Sequence, residues 1–229
     1  LIQELKWESD FLAKMQDADG GFYFLVYPKE RKYENNVLPD QGDDQIVWPK
    51  NTIATAAATA ALAEVGSSPT FQAAYPTEAA QYLAKAQQGW TFLINAIATH
   101  GYDGSYQKLT HYGAVFLHDD ELAWAAAALF AATGDVSYQN QLFAWFPDPN
   151  DKQTRRWTWW RLYGGYGAAV RTYAFAARSG RLTPADLAPD YLAKCEEEIR
   201  LAGLDQAQRA LDSAYGTSFP EESKRFHSA

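Results

Sequence analysis

The sequence has very little cysteine, methionine and histidine, and it lacks any long apolar run. Its 229 residues include one Cys, one Met and four His. A single cysteine excludes a disulfide within the chain, and Cys195 stands between Leu192 and Ile199 at helical spacing. We therefore expect Cys195 to be a small buried apolar side chain rather than a nucleophile. No 18-residue stretch is both apolar and uncharged, so no transmembrane helix is predicted.

Basic residues are also scarce. Twenty Lys and Arg face 28 Asp and Glu, which gives a net charge of −8 and a pI near 5.0. No local run of Lys or Arg interrupts this acidic balance, so nucleic acid is not an expected partner, and neither is a membrane. The sequence is 47% hydrophobic and 15% aromatic, which excludes a disordered chain and predicts a packed globular one.

Helical periodicity dominates, and strand patterns are almost absent. The periodicity and the stop signals predict these helices: 2–16, 52–65, 77–98, 121–133, 137–145, 159–178, 184–202 and 205–214. In the first helix, one apolar face is expected to be buried, and Trp7 and Trp90 are expected to fill the interface between layers. The members of that first face are Leu5, Phe11, Leu12 and Met15.

Two of these helices differ from the others. Helices 52–65 and 121–133 are rich in alanine and apolar nearly all round, whereas helix 77–98 has a polar face. Alternation of fully buried with half-buried helices indicates two concentric layers. The fold class predicted from the sequence is therefore all-α, an α/α toroid.

The sequence His118-Asp119-Asp120-Glu121 opens helix 121–133 with three consecutive carboxylates. One interpretation is a functional site at the mouth of a buried helix. The other is structural: Asp119 caps the helix, and Asp120 and Glu121 favour its positive N-terminal end. The sequence leaves both interpretations open.

Three long connections, 19–50, 99–117 and 146–158, are rich in aromatic residues. Loops beyond about 12–15 residues in compact domains are usually functional or disordered. Gathered on one rim, they would form a cleft for carbohydrate, because sugar C–H faces stack on aromatic rings while Asp, His and Arg hydrogen-bond the hydroxyls. Candidate substrate-binding residues are Trp48, Trp157, His118 and Asp119.

Several blocks of sequence, in this order, resemble glycoside hydrolase family 9 over about residues 4–180. They are Glu4 to Gln16 with Asp19-Gly20-Gly21-Phe22-Tyr23, then Asn51 to Ala63, then Asp120 to Ala126 with Ala132-Thr133-Gly134-Asp135. Members of the family cut β-linked glucans and related β-glycans with inversion, on an (α/α)6 barrel. The resemblance implies that residues 1–229 are part of one such catalytic domain, in an extracellular or periplasmic enzyme whose leader would lie outside this sequence.

The catalytic residues of the family have no counterpart here. The family's base is an Asp in an Asp-Ala-Gly-Asp motif ahead of the first matched helix, and its acid is a Glu near the end of the barrel. Asp17-Ala18-Asp19-Gly20 is similar in letters, but it follows that helix. We therefore assign no catalytic residue to this chain. We expect it to be the middle of a longer enzyme and inactive alone, with the rest of the barrel as its partner. The loop at 24–50 resembles that of members with an immunoglobulin-like module, a further expected partner.

The resemblance also assigns binding residues. Tyr112 lies near a position where members place a sugar-contacting aromatic, and His118 replaces a residue that is commonly Tyr. Asp120 and Glu121 match carboxylates that bind calcium in several members, while Trp160 takes the place of the Asp that completes their site. No cofactor is therefore expected, and calcium at Asp120 and Glu121 is the alternative.

Two other functions are compatible with the same residues. The chain could be a non-catalytic helical module that binds a glycan or a protein through its aromatic rim. It could also be a half-barrel that assembles with a partner chain carrying the missing carboxylates. The length of the gene separates the first hypothesis from these two.

Overall fold

The structure of the protein, a computed structural model, describes residues 1–29, 44–102, 106–108, 116–151, 161–162, 164–214 and 216. The α-helices of these residues are α1 (Ile2–Lys14), α2 (Thr52–Gly66), α3 (Pro69–Ala74), α4 (Pro76–His100), α5 (Asp119–Thr133), α6 (Val136–Trp145), α7 (Gly164–Phe175) and α8 (Pro189–Asp212). A short antiparallel hairpin joins β1 (Val26–Pro28) to β2 (Gln45–Val47), with Val26 opposite Val47. No described helix is both long enough and apolar enough to cross a membrane.

Alanine-rich sequence places α2, α5 and α7 in an inner layer. Helix α5 packs against α2 on one side and α7 on the other, and their alanine side chains, such as Ala60 and Ala126, are fully buried. Small side chains permit this close approach of helices. The outer helices cover them, α4 on α2, α6 on α5 and α8 on α7. The predicted two-layer α/α arrangement is confirmed.

Local signals fix where the inner helices begin and end. The Asn51 side chain caps α2 by accepting a hydrogen bond from the Ala54 N–H at 2.8 Å. Gly134 ends α5 in the left-handed conformation, with φ of 72°. At the far end of α2, Glu64 accepts hydrogen bonds from Thr172 and Arg181, which ties α2 to α7 and to the turn that follows it.

The prediction for the apolar face of α1 was largely wrong. Trp7 is 70% exposed and Phe11 46% exposed, whereas Met15 is buried. Periodicity identifies an apolar face but not whether a partner covers it, and α1 instead buries Ser9. The prediction for Trp90 is confirmed, because its ring packs against those of Tyr138 and Trp145 at 5.1 and 5.4 Å.

Several predicted boundaries were also wrong. Helix α3 and the β1–β2 hairpin were missed because each element has six residues or fewer. The capping box of Thr183 and Asp186 closes only a 3-10 turn, and α8 begins at Pro189 and continues through Gly203 as one helix. Helix α7 begins at Gly164. Cys195 is buried and apolar in its surroundings, as predicted.

An apolar cleft of about 580 Å³ lies between α1, α2 and the segment before β1. Its walls carry large apolar side chains from α1 and a row of alanines from α2, and Trp124 of α5 lines the cleft as well. The main lining residues are Phe11, Leu12, Met15, Phe22, Tyr23, Phe24, Ile53, Ala54, Ala57 and Ala61.

Candidate functional site

The N-terminal ends of the inner helices meet at one rim of the molecule. His118 and Thr52 join the start of α5 to that of α2, and Asp120 and Gly165 join α5 to α7. Helix N-termini carry partial positive charge, which favours carboxylates there. The three consecutive acids, Asp119 to Glu121, lie in the first turn of α5 at this rim.

His118 is buried, and both of its ring nitrogens are hydrogen-bonded. Nε2 lies 2.9 Å from the backbone oxygen of Tyr102, and Nδ1 lies 2.9 Å from the hydroxyl oxygen of Thr52. A carbonyl oxygen only accepts, so Nε2 carries the proton. Burial lowers the pKa of His118, which favours the neutral ring, with Thr52 donating to Nδ1. The predicted sugar contact of His118 stays a prediction.

Asp119 is the first residue of α5 and follows the N-cap residue. The capping interpretation was therefore wrong, because the N-cap position falls on His118. Burial raises the pKa of Asp119, while a hydrogen bond from the Tyr102 side chain acts in the opposite direction. This links Asp119 to Tyr102, an aromatic residue of the 99–117 connection.

Asp120 binds the start of α7. Its Oδ2 accepts a hydrogen bond from the Gly165 N–H at 2.8 Å, and both residues are buried. A Cβ on Gly165 would lie only 2.4 Å from the Asp120 backbone oxygen, so the two helices approach here as only glycine permits. The pair Gly164-Gly165 after a long loop was the sequence signal for this approach.

Glu121 lies beside Asp120, and its Oε2 is buried with no hydrogen-bond partner among the described residues. Burial raises the pKa of Glu121 well above its ordinary value, and the charge of Asp120 and a hydrogen bond with it raise the pKa further. Glu121 is therefore favoured in its neutral form. The acids of this first turn are not equivalent, since Asp120 accepts a hydrogen bond from the backbone, whereas the raised pKa of Glu121 favours its neutral form.

The described residues do not by themselves fit calcium. They contain no group of three or more His, Cys, Asp or Glu side chains placed to hold a metal. Calcium takes six to eight oxygen ligands, and one oxygen of Asp120 already accepts from Gly165. Asp120 and Glu121 as metal ligands stay a prediction.

One group of aromatic rings lies beside the start of α5, and another lies on the hairpin segment. The half-buried Tyr102 ring lies 5.3 Å from that of His118 and 6.2 Å from that of Trp145. Trp48 follows β2, and its ring contacts Phe24 and Tyr27 of the hairpin segment at 6.3 and 6.5 Å. The predicted Tyr112 and Trp157 lie outside the described residues, as does Trp160. Their roles, and that of Trp48, stay predictions.

The carboxylates of Asp17-Ala18-Asp19-Gly20 are paired with a lysine. Lys50 Nζ lies 2.6 Å from a carboxylate oxygen of Asp17 and 2.6 Å from one of Asp19. Lys50 lowers the pKa of Asp17 by its hydrogen bond. Burial alone would lower the pKa of Lys50, but the two carboxylates hold it above its ordinary value. This cluster joins the turn after α1 to the residue before Asn51.

The sequence matches one family over nearly its whole length. The sequence model of glycosyl hydrolase family 9 matches residues 1–219. Endoglucanase 24 of Oryza sativa subsp. japonica is 29% identical over 143 residues, which cover 60% of this chain and 26% of that protein. The chain therefore spans about a quarter of the length of this curated relative.

Solved structures show the same fold. A metagenome-derived glycoside hydrolase family 9 endoglucanase superposes with a TM-score of 0.70 at 22% identity, covering 95% of this chain and 37% of that one. The cellulase Cel9M of C. cellulolyticum, solved with cellobiose, superposes with a TM-score of 0.59 at 17% identity, covering 87% of this chain and 44% of that one. The described helices thus correspond to part of the α/α barrel of these structures.

Proposed function

The chain belongs to glycosyl hydrolase family 9, and from that premise we propose that it forms part of the barrel of an inverting glycoside hydrolase acting on β-linked glycans, such as cellulose or β-glucan. The observation that carries this proposal is the family match over residues 1–219. The names of the similar proteins, endoglucanase and cellulase, support the substrate class.

We assign substrate binding, and not proton transfer, to the rim of this chain. Inversion needs an acid and a base about 6.5–9.5 Å apart, with water between the base and the sugar. Asp120 is engaged by a backbone N–H, and the raised pKa of Glu121 favours its neutral form, which cannot act as the base. Asp17 and Asp19 are paired with Lys50. These four described carboxylates form no such pair, which supports placing the catalytic pair in a part of the barrel outside this chain.

The glycan-binding residues we propose are Asp119 at the start of α5, with Trp48, Tyr112 and Trp157. His118, predicted with them from the sequence, we assign to the rim without a direct sugar contact, because its buried ring has both nitrogens hydrogen-bonded. Asp119 would accept hydrogen bonds from sugar hydroxyls, and the rings would stack on the sugar faces. An extracellular or periplasmic location follows from the substrate, because a polymeric glycan does not enter the cell. An immunoglobulin-like module remains part of the proposal, supported by the length of the connection that contains the β1–β2 hairpin.

The test is hydrolysis by the complete gene product. We expect it to release reducing ends from soluble β-glucan, with the α-anomer appearing first in a ¹H NMR time course. Asp119→Asn should raise KM for β-glucan more than it lowers kcat, since it weakens binding of hydroxyls. If the β-anomer appears first, the inverting mechanism is overturned. No release from any β-glucan or cello-oligosaccharide would overturn the hydrolase proposal and favour a non-catalytic glycan- or protein-binding module.

A further inference from the structure

His118 holds a residue that comes 16 positions earlier in the chain. Its Nε2–H donates to the Tyr102 backbone oxygen at 2.9 Å, and Tyr102 lies just beyond the end of α4. His118 itself is 2% exposed, and the bond to the half-buried Tyr102 is partly shielded from water. Hydrogen bonds in such surroundings are stronger than those exposed to solvent. The bond fixes the position of the Tyr102 backbone relative to the start of α5.

The side chain of Tyr102 also contacts the start of α5. A hydrogen bond between the Tyr102 side chain and the carboxylate of Asp119, next in sequence to His118, acts to lower the pKa of Asp119. Backbone and side chain of Tyr102 thus contact two adjacent residues at the start of α5, the N-cap residue His118 and Asp119. The Tyr102 ring remains half-buried and lies against the rings of His118 and Trp145. Tyr102 therefore extends from the buried His118 side chain to the surface of the rim.

The Nδ1 side of the His118 ring is also held by a hydrogen bond. The Thr52 hydroxyl, fully buried at the start of α2, lies 2.9 Å from Nδ1. With Nε2 donating to a carbonyl, the neutral ring accepts from Thr52, and rotation of the imidazole would break both bonds. Thr52 therefore fixes the tautomer and the orientation of His118.

We propose that His118 is a positioning residue for Tyr102, and that Tyr102 contacts the glycan at the rim together with Asp119. The inference rests on the proposed function and adds Tyr102 to its substrate-binding residues. A phenol offers both a ring face for the sugar and a hydroxyl shared with the carboxylate. His118 supports this contact without touching the sugar.

The experiment is a double-mutant cycle on β-glucan hydrolysis by the complete gene product. We expect His118→Phe, which keeps a ring but loses both hydrogen bonds, to raise KM on the order of tenfold with a smaller change in kcat. Tyr102→Phe, which keeps the backbone oxygen but loses the hydroxyl, should raise KM similarly. The double variant should be no worse than either single one, because both remove the same support.

Two further variants separate positioning from packing. His118→Gln places an amide N–H near the position of Nε2–H and should restore most of the lost affinity. Tyr138→Phe removes only a hydroxyl from a ring that packs on Trp90 in the outer layer, and it should leave KM unchanged. Additive losses for His118 and Tyr102, or no change in KM for Tyr102→Phe, would overturn the inference while the hydrolase assignment stands. A wild-type protein that cleaves no β-glycan would overturn both.

Discussion

The N–H of Gly165 donates to Oδ2 of Asp120 at 2.8 Å, joining the first turn of α7 to the first turn of α5. This bond spans 45 residues of sequence and crosses the connection that contains Trp157. This bond explains why Asp120, one of the three consecutive acids, has a structural role. A carboxylate that accepts a backbone N–H at a helix start stabilises both the donor and the helix end.

Gly165 should not tolerate a side chain. A Cβ there would meet the Asp120 backbone oxygen at 2.4 Å, so α5 and α7 would have to separate. We expect Gly165→Ala to lower the free energy of unfolding by about 1–3 kcal/mol, as for other overpacked cores. The control is Gly203→Ala in α8, where a Cβ meets nothing within 4 Å. It should raise stability by up to about 1 kcal/mol. Equal effects in urea denaturation would refute the close approach.

Glu121 should make stability depend on pH. Burial, and then the charge of Asp120, raise the folded-state pKa of Glu121 above the ordinary carboxyl value of 4.5. The folded state therefore holds this proton more tightly than the unfolded state. The contribution of the Glu121 proton to the free energy of unfolding is fully present below about pH 4.5 and is lost as pH rises through the folded-state pKa. Glu121→Gln, which stays neutral, should melt above wild type at pH 8 and close to it at pH 4.

The control for this experiment is Glu197→Gln on α8. Its carboxylate is exposed, and the hydrogen bond from Arg200 lowers its pKa. The expected effect of Glu197→Gln is therefore the reverse: any change in its melting temperature at pH 8 should be a decrease relative to wild type. All melts are done in EDTA, so that bound metal does not contribute. A Glu121→Gln variant that is less stable than wild type at pH 8 under these conditions would show that Glu121 is charged in the folded protein.

Calcium should contribute little to stability at Asp120 and Glu121. The described residues contain no group of three or more His, Cys, Asp or Glu side chains placed to hold a metal, and Asp120 is engaged by Gly165. A metal at a hundredfold excess over Kd would add about 2.7 kcal/mol. We expect EDTA to shift the melting temperature only slightly. A drop of many degrees that calcium restores, and that Asp120→Ala abolishes, would identify a metal site.

The exposed apolar side of α1 should cause self-association of the 229-residue chain. Trp7 is 70% exposed and Phe11 46% exposed, and Phe11 lines the apolar cleft. Contiguous apolar surface beyond a few hundred Å² is rare on monomers. Phe11→Ser should reduce association in sedimentation velocity. Leu211→Ser, at an 80% exposed position on α8, should not. A compact monomer that binds little hydrophobic dye would contradict this.

The layer arrangement could be predicted from sequence because it depends on composition along single helices. The alanine-rich stretches of α2 and α5 have no polar face, so they had to lie inside. The exposure of Trp7 could not be predicted in this way, since it depends on what packs against α1. The error for Asp119 was one of register, because the N-cap fell one residue earlier, on His118.

The hydrogen bonds within the site could not be predicted from the sequence for a related reason. His118 bonds Thr52 across 66 residues and Tyr102 across 16, and no local pattern encodes either pair. Lys50 was missed because its two acidic partners lie more than 30 residues earlier. By contrast, the adjacent glycines at 164 and 165 signalled a close approach, although not its partner.

The central claim is that this chain supplies substrate-binding residues to a hydrolase whose catalytic carboxylates lie elsewhere. The most direct measurement is reducing-end release from soluble β-glucan by the purified 229-residue chain, compared with its Asp119→Ala variant and with the complete gene product. We expect release by the complete gene product, and none by the chain above the level of its variant. Release by the 229-residue chain at a rate above that of Asp119→Ala would contradict the claim, because it would place the catalytic carboxylates within this chain.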